Sequence, residues 1–202
     1  MMVSSTACLK SVLERLRSLF CLLVFLPGLA WTAEISIRDP QLTQSDEGYS
    51  LSANFEFELN ARLEEAVNRG VVLYFVTEFE LGRERWYWFD EKLISRTQTQ
   101  RLSYHALTRQ YRLSTGGLHQ SFDTLGEALR MLQRLRHWLV IERNDAPLEP
   151  GQYLAALRMR LDVTQLPRPF QISALGNKDW SLGTEWKIWP LKLPLATAAG
   201  EK

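Results

Sequence analysis

Apolar and polar positions alternate most sharply between Tyr49 and Leu59. There Tyr49, Leu51, Ala53, Phe55, Phe57 and Leu59 share one face, and Ser50, Ser52, Asn54, Glu56 and Glu58 share the other. A period of two with one apolar side predicts a half-buried antiparallel strand. The same pattern returns at Tyr153, Ala155, Leu157, Met159 and Leu161, set against Arg158, Arg160 and Asp162. Val71 to Leu81 is different, being apolar on both sides until Glu78 and Glu80, which predicts a strand covered on both faces for most of its length. Gly82 interrupts that run, and Arg83-Glu84-Arg85 forms a charged tip. Beyond it Trp86 and Trp88 point to one side and Tyr87 and Phe89 to the other, so a second strand is expected to pair with the first as a central hairpin.

The remaining elements follow from shorter signals. Asn60 is placed to cap a helix from Ala61 to Arg69, with Gly70 as its left-handed stop. Thr124 and Glu127 have capping-box spacing for a helix reaching about Leu135. Leu125, Ala128, Leu129, Leu132 and Leu135 make its apolar stripe, with Arg130 and Arg134 on the opposite face. Short strands are expected at Glu34–Arg38, closed by Asp39-Pro40, and at Leu102–Leu113, Leu118–Phe122 and Trp138–Glu142. Ser45–Gly48 and Ser114–Gly117 read as turns, and the polar stretch Lys92–Arg101 as a bend or an edge. Leu166-Pro167-Arg168-Pro169-Phe170 reads as an extended linker. Trp180–Trp189 supplies a last strand, ended by Pro190. Leu148-Glu149-Pro150-Gly151-Gln152-Tyr153 resembles the tyrosine corner of immunoglobulin-like sandwiches, in which the hydroxyl bonds back to nearby backbone. The expected fold is mainly β with two helices: an antiparallel β-sandwich, with an immunoglobulin-like arrangement as the candidate topology. It forms a single domain over residues 31–190, followed by a flexible tail over 191–202.

The N-terminus stands apart. Lys10, Arg15 and Arg17 precede the apolar run Leu19–Leu26, and small residues follow at Gly28 and Ala30. That is the layout of a secretory signal peptide over residues 1–30, with cleavage expected before Trp31. An uncleaved inner-membrane anchor is the alternative, although the run falls short of the roughly 20 residues a span needs. Both cysteines, Cys8 and Cys21, lie in this segment, so the exported part has neither disulfide nor thiolate. This suits a bacterial periplasmic domain that relies on its hydrophobic core. Membrane contact is expected only through the signal or an uncleaved anchor.

The 24 basic and 23 acidic residues nearly balance, so nucleic acid is not an expected partner. Charge is nevertheless segregated. Residues 39–80 hold nine acidic side chains against Arg62 and Arg69, whereas residues 83–136 hold ten basic against five acidic. The two segments are expected to neutralise one another inside the fold. The alternative is a basic face that meets anionic phospholipid or an acidic partner.

Catalytic chemistry is sparse. His105, His119 and His137 are the only histidines, and none has metal-ligand spacing with another. Ser103 and His105 share a strand face without a glycine elbow or oxyanion loop around them. No catalytic, cofactor-binding or metal-ligating set is expected, and no cofactor.

The ordered series RWYWFDE (85–91), LSYHALTRQYRL (102–113), SFDTLGEAL (121–129) and LDVTQLPRPFQ (161–171), with Asp179-Trp180, resembles one proteobacterial exported family. It is the domain of unknown function numbered four-three-nine-zero. The resemblance implies no activity, and it implies a membrane sensor protein as a partner. The expected function is a periplasmic, non-enzymatic interaction module, with Arg83, Arg85, Trp86, Trp88, Arg130 and Arg134 as its candidate surface. The alternatives are an envelope hydrolase and a small-ligand-binding domain that uses the aromatic cluster.

Overall fold

The computed structural model describes residues 35–83, 91–145, 148–174 and 177–194. The expected signal peptide over residues 1–30 and the aromatic stretch Arg85–Phe89 lie outside them.

Among the described residues nine strands form two antiparallel sheets. The small sheet has the order β1-β2-β7, from β1 (Ser36–Ser45), β2 (Gly48–Glu56) and β7 (Arg134–Glu142). The large sheet has the order β6-β5-β4-β3-β8-β9. Its strands are β3 (Leu73–Arg83), β4 (Glu91–His105), β5 (Gln110–Thr115), β6 (Leu118–Phe122), β8 (Gly151–Leu161) and β9 (Lys187–Leu193). Three helices complete it: α1 (Ala61–Asn68), α2 (Leu125–Leu132) and α3 (Arg168–Ala174).

One core joins the sheets. Leu51, Ala53 and Phe55 of β2 belong to the same buried cluster as Phe75, Phe79 and Leu81 of β3 and Tyr153, Leu157 and Met159 of β8. The alternation read along β2 and β8 is realised, with the polar set of each strand turned outward. Gly48 is required where β2 meets β7: it has φ +142°, and a Cβ there would sit 2.0 Å from the Ile141 carbonyl oxygen.

Helix α1 begins where expected, with the Asn60 side chain accepting from the Leu63 amide at 3.0 Å. Thr124 caps α2 in the same way, accepting from the Glu127 amide at 3.3 Å. The tyrosine corner also forms. Tyr153 is 2 % exposed, and its hydroxyl donates to the Glu149 carbonyl at 2.6 Å.

Several expectations are corrected. Asp39-Pro40 does not end β1, because a bulge between Arg38 and Gln41 absorbs them and pairing with β2 resumes. Lys92–Arg101 is neither bend nor edge. It belongs to the long central strand β4, which pairs β3 from Arg83↔Glu91 to Leu73↔Leu102. Leu102–Leu113 divides at a turn over residues 106–109, with Arg109 at φ 55°. Helix α2 stops at Leu132, because pairing of Arg134 with Asn54 and Leu135 with Ala53 draws the chain into β7. The proline linker holds a third helix: Pro167 and Pro169 flank the start of α3, where the first-turn amides have no intrahelical acceptor to lose. Strand β9 runs through Pro190 and buries Leu191 and Leu193, since proline is tolerated on an edge strand.

Candidate functional site

Arg83 ends β3 beside the tyrosine corner. Its guanidinium donates to the Tyr153 hydroxyl at 2.9 Å, lies 5.1 Å from that ring's centroid, and reaches the Glu149 carboxylate at 3.4 Å. The residue expected at a free charged tip therefore locks the turn between β7 and β8. Arg85, Trp86 and Trp88 fall outside the described residues. Arg130 is exposed on α2, and Arg134 is exposed at the start of β7, so these two do not form the single helix face that was expected. Among the described candidates, Arg83 lies on β3, Arg130 on α2 and Arg134 on β7.

Cross-strand pairs share a face, so the register defines what the outer side of the large sheet displays. Its centre is fully paired. Glu78 of β3 accepts from Arg158 and, at 3.5 Å, from Arg160 of β8. Arg160 also lies 3.8 Å from Asp162. The Arg158 guanidinium stacks 4.4 Å from the centroid of the Trp186 ring. Burial pushes the Glu78 carboxyl up, but the hydrogen bonds and charges of Arg158 and Arg160 outweigh it and hold Glu78 below its ordinary value. Burial likewise raises Asp162, and bonds from Thr164 and Gln165 more than reverse it.

Beside this centre lies a wing of different character. From Lys92 to Phe122 there is no aspartate or glutamate, while Lys92, Arg96, Arg101, Arg109 and Arg112 are cationic. Lys92 pairs with Glu80 at 2.7 Å, and Arg96 turns to the inner side to meet Asp145 at 2.5 Å. Arg101, Arg109 and Arg112 pair with no carboxylate among the described residues, and the Arg112 Nε is buried without a partner. On the outer face Arg101 stands in the row His119–Ser114–Arg101, and Arg112 in the adjoining row Ser121–Arg112–Ser103. Among the described residues only Glu80–Lys92 links residues 39–80 with residues 83–136 by an ion pair. The carboxylate-free window was the sequence signal for this wing, and counting net charge over a longer segment hid it.

Nothing comparable gathers for catalysis. The three histidines sit on β4, β6 and β7, and His105 Nδ1 faces the Thr108 hydroxyl at 3.1 Å. A recess of about 320 Å³ brings Glu142 and Asp145 to one wall. Asp145 is committed there, to Arg96 through one oxygen and to the Glu142 amide at 2.7 Å through the other. A second recess, of about 300 Å³, lies between α1 and α3, with Phe170 and Trp180 near Arg62 and Arg69. Among the described residues no three metal-ligating side chains converge, and no helix is long and apolar enough to cross a membrane.

No curated protein and no solved structure matches the chain. The model of one family matches residues 32–190, and so the chain belongs to the family described as Domain of unknown function (DUF4390).

Proposed function

We propose that this is an exported, immunoglobulin-like domain that works in the periplasm as a non-enzymatic interaction module, with a membrane sensor protein as its candidate partner. The fold reading is supported by strand order. Taking β1, β2 and β7 as strands A, B and E, and β3, β4, β8 and β9 as C, C′, F and G, gives the orders A-B-E and C′-C-F-G expected of an immunoglobulin-like sandwich, which supports that reading. The β5–β6 hairpin extends the C′ edge, and the corner tyrosine starts strand F. Export is supported by the basic, apolar and small-residue order of residues 1–30.

The observation that carries the functional reading is the outer face of the large sheet. The β3–β8 centre closes its charges within the fold, and beside it Arg101 and Arg112 stand on the outer face with no carboxylate partner among the described residues. Arginine is enriched where interfaces concentrate their energy, and its planar fork suits carboxylate recognition. The test is capture of envelope proteins by the exported chain at low and high salt. Salt-sensitive capture of one membrane sensor supports the reading, and capture of nothing overturns it. The intact mass of the periplasmic form should begin at Trp31 or Glu34; retention of residues 1–30 would instead indicate an anchor.

A further inference from the structure

The basic wing ends on β6, and β6 differs from the other sheet edges. β1 contains Pro40 and a bulge, β7 is distorted by His137 at φ 47°, and β9 carries Pro190 between Lys187 and Lys192. These features discourage the addition of another strand. β6, Leu-His-Gln-Ser-Phe, contains neither proline nor lysine and pairs with β5 in unbroken register from Leu118 to Phe122. Its residues Leu118 to Ser121 are exposed.

The register also fixes which backbone groups point outward. Thr115 and Leu118 flank the two-residue turn Gly116-Gly117, in which Gly116 has φ 56°, so they form a mutually hydrogen-bonded pair. Such pairs alternate along an antiparallel ladder. Leu113↔Gln120 and Tyr111↔Phe122 are therefore bonded, while His119 and Ser121 direct both N–H and C=O away from β5. The side chains of those two residues lie on the outer face, in the rows that hold Arg101 and Arg112.

We propose that β6 is a docking edge that accepts an extended, acidic segment of a partner protein as an added antiparallel or parallel strand, its carboxylates lying toward Arg112 and Arg101. The proposal rests on the interaction-module reading and specifies the partner's chemistry. A lipid surface would attract the arginines but would leave the strand's backbone donors to water. A second copy of this chain paired edge to edge would bring two carboxylate-free wings together, and like charges across a sheet repel. An acidic strand satisfies both the backbone and the charge.

The test uses the exported chain and a fluorescent peptide of alternating glutamate and threonine, with a glutamine-for-glutamate peptide and phosphatidylglycerol vesicles as competing probes. The glutamate peptide should bind, and the glutamine peptide should bind about tenfold more weakly or worse. Ser121→Pro removes only an outward N–H, so it should leave the fold intact and weaken binding about tenfold or more. Arg101→Ala with Arg112→Ala should do the same and flatten the salt dependence, which keeps the proposal testable should the proline variant fail to fold. Equal peptide binding by a folded Ser121→Pro protein overturns the strand addition. Arginine-dependent binding to vesicles but not to the glutamate peptide overturns the acidic-strand partner. If both variants still capture the native chain's envelope partner, the edge assignment fails while the module reading stands. If the native chain captures no partner and binds no peptide, both fail.

Discussion

The centre and the wing of the large sheet are built from the same strand pairing, yet their polar residues do opposite things. Across β3 and β8 each charge is closed within the fold: Glu78 holds two arginines, Asp162 a third contact, and Arg83 the tyrosine corner. Across β4, β5 and β6 the outer arginines share their rows with serine and histidine instead of carboxylates. Arginine is therefore tied to carboxylates in one half and faces none among the described residues in the other. The count of charged residues does not separate the two cases; the register does.

The largest effect that should separate them is on stability. Phe79→Ala, at a fully buried site in the centre of β3, should cost about 3–5 kcal/mol in urea unfolding. A much smaller cost would mean that the shared core does not run through this strand. Glu78→Gln removes the negative charge and one of the two acceptor oxygens that face Arg158 and Arg160, at a site where the carboxylate is 19 % exposed, and should cost about 2 kcal/mol.

Glu78 also sets a pH dependence. Its folded pKa lies below the ordinary value of 4.5, so its contribution is complete above that value and is lost as pH falls toward and through the folded pKa. The native chain should lose stability below about pH 4.5, and Glu78→Gln should lose less over the same range. Parallel curves for the two proteins would contradict the pairing.

Tyr153→Phe removes a hydroxyl that donates to Glu149 and accepts from Arg83, and should cost about 1 kcal/mol. No shift in the unfolding midpoint would remove the corner as support for the immunoglobulin-like reading. Smallest of all, Arg101→Ala with Arg112→Ala should change stability by less than about 0.5 kcal/mol, as expected of outward side chains with no carboxylate partner among the described residues. A cost comparable to that of Glu78→Gln would make the wing scaffold as well.

Much of the fold was legible. β2 and β8 announce themselves because each has one face on the core and one outside. The caps at Asn60 and Thr124 and the corner at Tyr153 are local devices, written in a few consecutive residues. β4 was not legible, and the reason is geometric. A three-stranded sheet cannot cover a six-stranded one, so the core-side positions of β4 include Arg96, Gln98 and Gln100 between Ile94 and Leu102. Apolar alternation vanishes there. Thr77 and Gln98, paired across β3 and β4, even retain buried oxygens without partners. The helix at Arg168 is hidden in the sequence because proline breaks a helix interior, yet in a first turn it is harmless.

The candidate surface was the least legible part. Arg83 was identified by type and position, but only the fold reveals that Tyr153 and Glu149 occupy it. Arg101 and Arg112 belong to different strands, and only the register sets them in adjoining rows with His119 and Ser121.

Amide hydrogen exchange along β6 tests the central claim most directly. In the free chain the His119 and Ser121 amides should exchange fast, and those of Gln120 and Phe122, bonded to β5, slowly. On adding the alternating glutamate peptide, His119 and Ser121 should become protected, with Gln120 and Phe122 nearly unchanged. Saturating peptide that leaves the His119 and Ser121 rates as they were would contradict the account.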